Sequence, residues 1–406
     1  MSITVALLGL AFLILIHEAG HFFVALAVGM NPRKFYLGFP PAIAKTKRKG
    51  IEYGIGAIPL GGYVKIPGMH RPAAGDLDIH FGRAIQEAPS LRRPVDELRG
   101  RLDESEYAAA RDALARVGDL VAELDSLSAV ALRSAERGLI EIADALAPDA
   151  YWRAKTWKRV AVIFAGPAAN LVLAVALITA VVMAAEPRYI VGIQLGANEE
   201  TTTGVVEAVG ADSPAAVAGL RPKDRIVAVN GRAVQGDAIV NAIRASAGRP
   251  LAFTVERSDR RIDLRPIRAE KFEPPQGILA STWEGLRFCG EVTVEIGKVI
   301  GRLLTGEGRE EISSPVGIVQ GSSEAIEQGA DIYLRVLALI SLSLASLNLL
   351  PLLPLDGGHI AFSVIEGIRG RAVAREIYER VSVVGIAIVL LLFFIGLTND
   401  IGRLAD

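Results

Sequence analysis

Four long apolar stretches interrupt an otherwise charged chain, at roughly residues 3–29, 160–185, 333–355 and 381–398. A helix needs about 20 apolar residues to cross a bilayer, so each is a candidate span. The first is broken only by His17, Glu18 and His21. It lacks the basic start of a secretory signal peptide and carries three ionisable groups in its apolar run, so it reads as a span. After it, Ile51–Ile58 and Tyr63–Ile66 read as short strands around Pro59-Leu60-Gly61-Gly62, a turn signal. Between 94 and 147 the pattern becomes helical: Leu114, Val117, Val121, Leu124 and Leu127 recur at three- and four-residue spacing, Pro94 suits a start and Pro148 a stop. This predicts a helical hairpin that packs on itself or on the membrane surface, with a regulatory role as the alternative. Residues 190–270 read as a compact β module. Gly204-Val205-Val206, Asp224–Gly231 and Leu251–Glu256 are strand-like, Asn230-Gly231 is a hairpin turn, and Ala238–Ala245 is a short helix. From 283 to 304, Trp283, Leu286, Val292, Ile296, Val299, Ile300 and Leu303 form one apolar helix face suited to a membrane interface.

Basic residues orient the spans. Arg33, Lys34, Lys45, Lys47, Arg48 and Lys49 follow the first; Arg153, Lys155, Lys158 and Arg159 precede the second; Arg369, Arg371, Arg375 and Arg380 lie between the third and fourth. These loops are therefore expected in the cytoplasm, with both termini and about 187–330 on the other side. His17, His21 and Asp356 then lie at similar depth, toward the cytoplasmic face. Composition agrees: of 406 residues, 51% are apolar and 22% charged, which fits one chain only because the two kinds are segregated. The net charge of −1 gives no case for nucleic acid, and with Cys289 alone no internal disulfide can form.

The strongest chemical signal is His17-Glu18-Ala19-Gly20-His21. Residues four apart on a helix face the same way, so both imidazoles can reach one Zn²⁺, and Glu18 beside them can take a proton from water. Amide hydrolysis at neutral pH needs hydroxide; a protein-bound zinc lowers the pKa of water to ~7 and polarises the carbonyl. The pattern arises by chance in soluble helices. Within a span, however, each charged group costs roughly 2.5–3.5 kcal/mol at the bilayer centre, so such groups are usually functional. A catalytic zinc site needs a third protein ligand and an open position. The run from Asn348 to His359 offers Asp356 and His359, and the residues alone leave both open. Pro351 and Pro354 remove helix donors there, while Gly357 and Gly358 permit close approach.

H-E-A-G-H together with N-L-L-P-L-L-P-L-D-G-G resembles the site-2 protease family of intramembrane metalloproteases, of the bacterial sigma-regulator type. Pro59–Lys65 resembles its membrane-re-entrant β-hairpin, Phe164–Asn170 its second-span G-P-x-x-N motif, and Ser314–Ile318 the segment before its third span. The likeness spans nearly everything except residues 71–150. It implies His17, His21 and Asp356 as zinc ligands, in preference to His359, and Glu18 as general base. It implies that Asn348 positions substrate or oxyanion, that the hairpin at Gly61, Gly62 and Tyr63 pairs with an unwound substrate strand, and that Asn170 holds substrate or a neighbouring span. A helix hides its scissile amides, and strand addition exposes them. Ala218–Ile226 followed by Asn230-Gly231 resembles a PDZ domain, which takes an extended peptide or free C-terminus along a sheet edge. Gly204, Val205 and Val206 are then expected at its peptide-binding loop. Screening of substrates by size is the expected role, and a plain spacer the alternative. Two departures stand out: one PDZ-like module where some relatives have two, and the long insert at 94–147.

The expected fold is a polytopic α-helical membrane protein of about four spans with a re-entrant β-hairpin, a cytoplasmic helical insert and a PDZ-like, β-rich extracytoplasmic domain. Its parts are 1–30, the first span with the zinc motif; 31–70, the hairpin; 71–152, the insert; 153–186, the second span; 187–272, the PDZ-like domain; 273–330, the amphipathic helix and linker; 331–359, the third span with the Asp motif; and 360–406, a loop and the fourth span. The resemblance implies a bacterial inner-membrane enzyme cutting single-span proteins already trimmed by an upstream site-1-type protease, such as anti-sigma factors, or remnant signal peptides. The lipid bilayer is its other partner, with no nucleic acid. A silent adaptor and a metal transporter are the competing readings; the complete ligand and base set argues against the adaptor.

Overall fold

A computed structural model describes residues 2–197, 202–258, 260–275, 277–309 and 312–405. The chain forms two compact units, one of Met1–Ile178 with Leu286–Asp406 and one of Thr179–Gly285. In chain order the elements are α1 (Ser2–Ala27), β1 (Lys34–Arg48), β2 (Ile51–Lys65), α2 (Ala74–Glu87), α3 (Arg92–Asp103), α4 (Tyr107–Glu123), α5 (Ala129–Leu146) and α6 (Thr156–Ala184). There follow β3 (Arg188–Ile190), β4 (Ile193–Ala197), β5 (Thr202–Val209), α7 (Pro214–Val217), β6 (Arg225–Val229), β7 (Arg232–Ala233), α8 (Asp237–Ala245), β8 (Pro250–Leu251), β9 (Phe253–Arg257), β10 (Arg260–Asp263), β11 (Ile267–Arg268) and β12 (Glu270–Phe272). Helices α9 (Ile278–Thr305), α10 (Pro315–Gln328), α11 (Ala330–Asn348), α12 (Asp356–Arg369) and α13 (Arg375–Ala405) complete it.

Among the described residues, four helices are long and apolar enough to cross a membrane: Ser2–Ala27, Thr156–Ala184, Ala330–Asn348 and Glu376–Arg403. Their outer faces are apolar, with Leu8 65%, Phe23 66% and Val383 67% exposed. Water would penalise such faces, and lipid does not. The third span is shorter than the expected 333–355. Helix α11 stops at Asn348 because Pro351 cannot donate to Leu347 and disfavours helical backbone at Leu350. Asp356 therefore opens a separate helix, α12. The expected linker before α11 is also partly helical: Ser314 caps α10 by accepting from the Val316 N–H, and the buried Asp400 carboxylate accepts from the Ser314 and Gly317 N–H groups at 2.7 and 3.0 Å.

The two short strands expected around the turn at 59–62 do not pair with each other. Both arms of β2 instead flank the start of β1: Lys34–Leu37 has Cα partners in Glu52–Ile55 and also in Gly62–Lys65. Thr46–Arg48 pairs with Ile51–Tyr53 across Lys49 and Gly50, both at positive φ. Lys34–Leu37 was missed because its polar, aromatic and glycine neighbours show no alternation.

The insert, expected at 71–152, holds four helices rather than a hairpin, and the first starts at Ala74, ahead of the helical pattern read from 94. Leu77, Phe81 and Ala84 of α2 are fully buried with Leu91, Val95, Leu98, Val117, Ala135 and Leu146. The insert thus has its own core. Arg33 anchors it through Asp144 at 2.9 Å and through both carboxylate oxygens of Asp149 at 3.1 Å, and Lys65 reaches Asp144 at 2.8 Å. Burial raises the Asp149 pKa, but the Arg33 guanidinium outweighs it and holds the carboxyl below its usual range.

The second unit packs Val206, Ile226, Val229, Ile239, Phe253, Val255 and Ile267 under a sheet of order β10-β9-β6-β5-β4. Buried Asp224 takes a two-pronged contact from Arg257, each prong 2.7 Å, and the Arg221 N–H at 2.8 Å. These bonds outweigh the burial that would raise its pKa and keep it below the usual range. Gly204, Val205 and Val206 lie on β5, which is paired on both sides: Leu195 faces Val206, and Arg225 faces Val205. These residues, expected near the peptide-binding loop, thus lie on a strand with neighbours on both sides among the described residues. Strand alternation marks a strand but not its neighbours.

Candidate metal centre

His17 and His21 lie one turn apart on α1, both buried. Their Nε2 atoms are 3.3 Å apart, and Asp356 Oδ2 lies 3.2 Å from His17 Nε2 and 3.4 Å from His21 Nε2. His21 Nδ1 donates to the Val162 carbonyl at 2.8 Å. In neutral His21 that is the only N–H, so Nε2 presents a lone pair. Asp356 Oδ2 is buried without a hydrogen-bond partner. Electron pairs thus converge with no proton between His21 and Asp356, an arrangement that repels itself unless a cation joins it. Four ligands held about 2.0–2.1 Å from a tetrahedral zinc lie about 3.4 Å from one another, and the three separations here match that edge. His17, His21 and Asp356 are the grouping among the described residues that could hold a metal ion.

Helix α6 supplies the floor. A Cβ at Gly166 would run into His21 Nε2 and lie 2.9 Å from His17 Nε2, so glycine leaves room for the coordination sphere. Pro167 follows inside the helix and cannot donate to the carbonyl of Ile163, which loosens the turn whose Val162 carbonyl orients His21. Helices α1 and α6 approach closely at Gly20, where a Cβ would run into the Ala165 carbonyl.

Glu18 is half-buried beside the two histidines. The β2 main chain covers it: a Cβ at Gly62 would lie 2.9 Å from Glu18 Cγ. Tyr63 stacks on Tyr36 with ring centroids 5.2 Å apart, and Gly61 sits at φ 155°. Asn170 is fully buried, with Nδ2 3.3 Å from His17 Nδ1. Asn348 ends α11 and donates to the Leu344 carbonyl at 2.9 Å. His359, the rival ligand, points elsewhere: its Nδ1 meets the Tyr378 hydroxyl, and its ring lines a separate cavity of about 370 Å³ with Tyr151, Arg159 and Glu366. The site thus brings together His17, Glu18, His21, Asn170, Gly62 and Asp356, and turns His359 away.

In the second unit, sequence reading missed a cleft of about 370 Å³ between β4 and α8, lined by Tyr189, Val191, Ile193, Leu195, Val240, Ile243 and Arg244. Tyr189-Ile190-Val191-Gly192 ahead of a strand was the available signal, with Gly192 at φ 76° turning the chain into β4.

Parts of solved structures resemble about a fifth of the chain. One is an HtrA-type protease, AlgW, with a decapeptide (25% identity, TM-score 0.20, 22% of this chain and 31% of that one). Another is the HtrA3 PDZ domain bound to a phage-derived ligand (23%, TM-score 0.19, 21% and 89%). Among curated proteins, zinc metalloprotease RasP of Geobacillus kaustophilus is 30% identical over 96% of this chain and 95% of its own. Zinc metalloprotease Rip1 of Mycobacterium tuberculosis is 29% identical over 90% and 86%. The profile of peptidase family M50 matches residues 5–392. With a zinc-fitting ligand set and four apolar helices, the chain belongs to peptidase family M50, the site-2 protease family of membrane zinc metalloendopeptidases.

Proposed function

We propose that this protease cuts the membrane segments of single-span proteins, with His17, His21 and Asp356 as its zinc ligands and Glu18 as its general base. The observation that carries this reading is the β2 main chain lying directly over Glu18 beside the converging ligands. On the arm Gly62–Lys65, Lys34–Leu37 is the strand partner among the described residues, and the other edge has none. An unwound substrate segment adds to that edge and brings its scissile amide past Glu18. Zinc, when bound, supplies Lewis acidity and water activated at neutral pH. Glu18 takes the proton from the attacking water and returns it to the leaving amine. Gly61, Gly62 and Tyr63 hold the substrate extended through main-chain bonds. Asn348, exchanging its Leu344 partner for substrate, steadies the scissile carbonyl.

The basic loops support placing this site toward the cytoplasm and the second unit outside. The second unit reads as PDZ-like, with β4 paired to β5 alone among the described residues and the cleft beside α8 taking a substrate's new C-terminus, its carboxylate near Gly192 and Arg244. A peptide from such a trimmed terminus is expected to bind the full-length protein in detergent, and its amidated form not to. Equal binding of both would remove the carboxylate-reading role. The substrate class is tested by comparing membrane proteomes of cells carrying the native chain and Glu18→Gln under envelope stress. Trimmed single-span fragments should accumulate in the variant; identical proteomes would count against this reading.

A further inference from the structure

Asn170 is fully exposed neither to lipid nor to the active-site opening: it is 0% accessible, on α6 one turn beyond Gly166. Its Nδ2 stands 3.3 Å from His17 Nδ1, while its Oδ1 is buried with no hydrogen-bond partner. As placed, the amide gives His17 a donor and wastes its acceptor. The oxygen and nitrogen of an amide are exchanged by a half-turn, and the hydrogen-bond network decides between them. The half-turn puts Oδ1 on His17 Nδ1. A histidine that coordinates through Nε2 must carry its proton on Nδ1, and that proton needs an acceptor. His21 already has one in the Val162 carbonyl. His17 has no second described partner at Nδ1, so Asn170 Oδ1 fills the corresponding place.

We infer that Asn170 is a positioning residue of the metal centre, whose side-chain carbonyl accepts from His17 Nδ1–H and so turns the Nε2 lone pair toward the metal. This differs from both roles expected from sequence, holding substrate and holding a neighbouring span, and it rests on His17 being a ligand. The glue role is carried by other atoms: the Ser341 hydroxyl donates to the Asn170 main-chain carbonyl at 2.8 Å, joining α11 to α6, and a side-chain substitution leaves that bond in place. The site therefore separates into a main-chain part that packs helices and a side-chain part that sets a tautomer.

The test measures zinc affinity by chelator competition in purified full-length protein for Asn170→Leu, Asn170→Asp and Ser341→Ala. Asn170→Leu keeps the shape and removes the acceptor, and zinc affinity should fall about 10- to 100-fold, the usual cost of losing such a partner. Asn170→Asp keeps an acceptor and should restore affinity, and Ser341→Ala should leave it unchanged. Wild-type affinity in Asn170→Leu, or equal losses in Asn170→Leu and Ser341→Ala, would overturn the inference. A measurement on the native chain covers the case of variants that do not fold: in zinc-loaded protein with ¹⁵N-labelled histidine, His17 should be protonated at Nδ1 and coordinated at Nε2. The reverse assignment overturns the inference. His17→Ala separates the two levels, since undiminished zinc binding there would sink the ligand assignment itself.

Discussion

Replacing Glu18 by glutamine is expected to slow cleavage by about 100- to 10,000-fold, the usual contribution of a positioned proton-transfer group, while leaving zinc bound. Glutamine matches glutamate in shape, so the β2 main chain over this position keeps its seat, with Gly62 still free of a side chain that would meet residue 18. The candidate ligand atoms belong to His17, His21 and Asp356, and none is altered. What is lost is the carboxylate beside the candidate ligands that the proposed mechanism uses as base. The check is steady-state cleavage of a single-span substrate in detergent, with metal content measured on the same preparation. Unchanged kcat would remove Glu18 from proton transfer. Loss of zinc with activity would show that Glu18 holds the site together rather than acting on water.

Adding one methyl group at Gly166 is expected to empty the centre of metal. The Cβ of Gly166→Ala would run into His21 Nε2, lie 2.6 Å from His21 Cε1 and crowd His17 Nε2 at 2.9 Å. Turning the His21 ring out of the way breaks its 2.8 Å bond to the Val162 carbonyl. In an exposed helix, alanine is better than glycine by about 1 kcal/mol, so α6 itself should not suffer. Overpacking of this kind costs typically about 1–3 kcal/mol, and here it falls on the ligands. Purified variant should carry near-background zinc with native helix content by circular dichroism. Zinc at the native ratio would mean that the floor of the site is further away than this geometry has it.

The contrast between these residues shows where local pattern ends. His17, Glu18 and His21 announce themselves because helical spacing sets their common face and an apolar span makes them expensive. The spans are legible for the same reason: each satisfies its own backbone, and its outer face need only be apolar. Asp356 and His359 are three residues apart, and the residues alone leave both open as ligands; among sequence signals only the family resemblance favours Asp356. In the structure the helix breaks at Pro351 and Pro354, and α12 is aimed so that Asp356 rather than His359 faces the two histidines, which is a matter of long-range packing. The partners of β1 and β2 likewise follow from chain folding, since Lys34–Leu37 is held by two arms of one strand more than ten residues away. The insert's helical character was plain, but its four-helix core depended on Leu77 and Phe81 meeting α5. By itself, then, the sequence marked the candidate spans, the candidate metal-binding pair and the candidate acid–base group, which are local in spacing and composition. The tertiary structure added the placing of Asp356 beside the two histidines, the glycine floor and the Asn170 contact, because each is set by atoms brought together from distant parts of the chain.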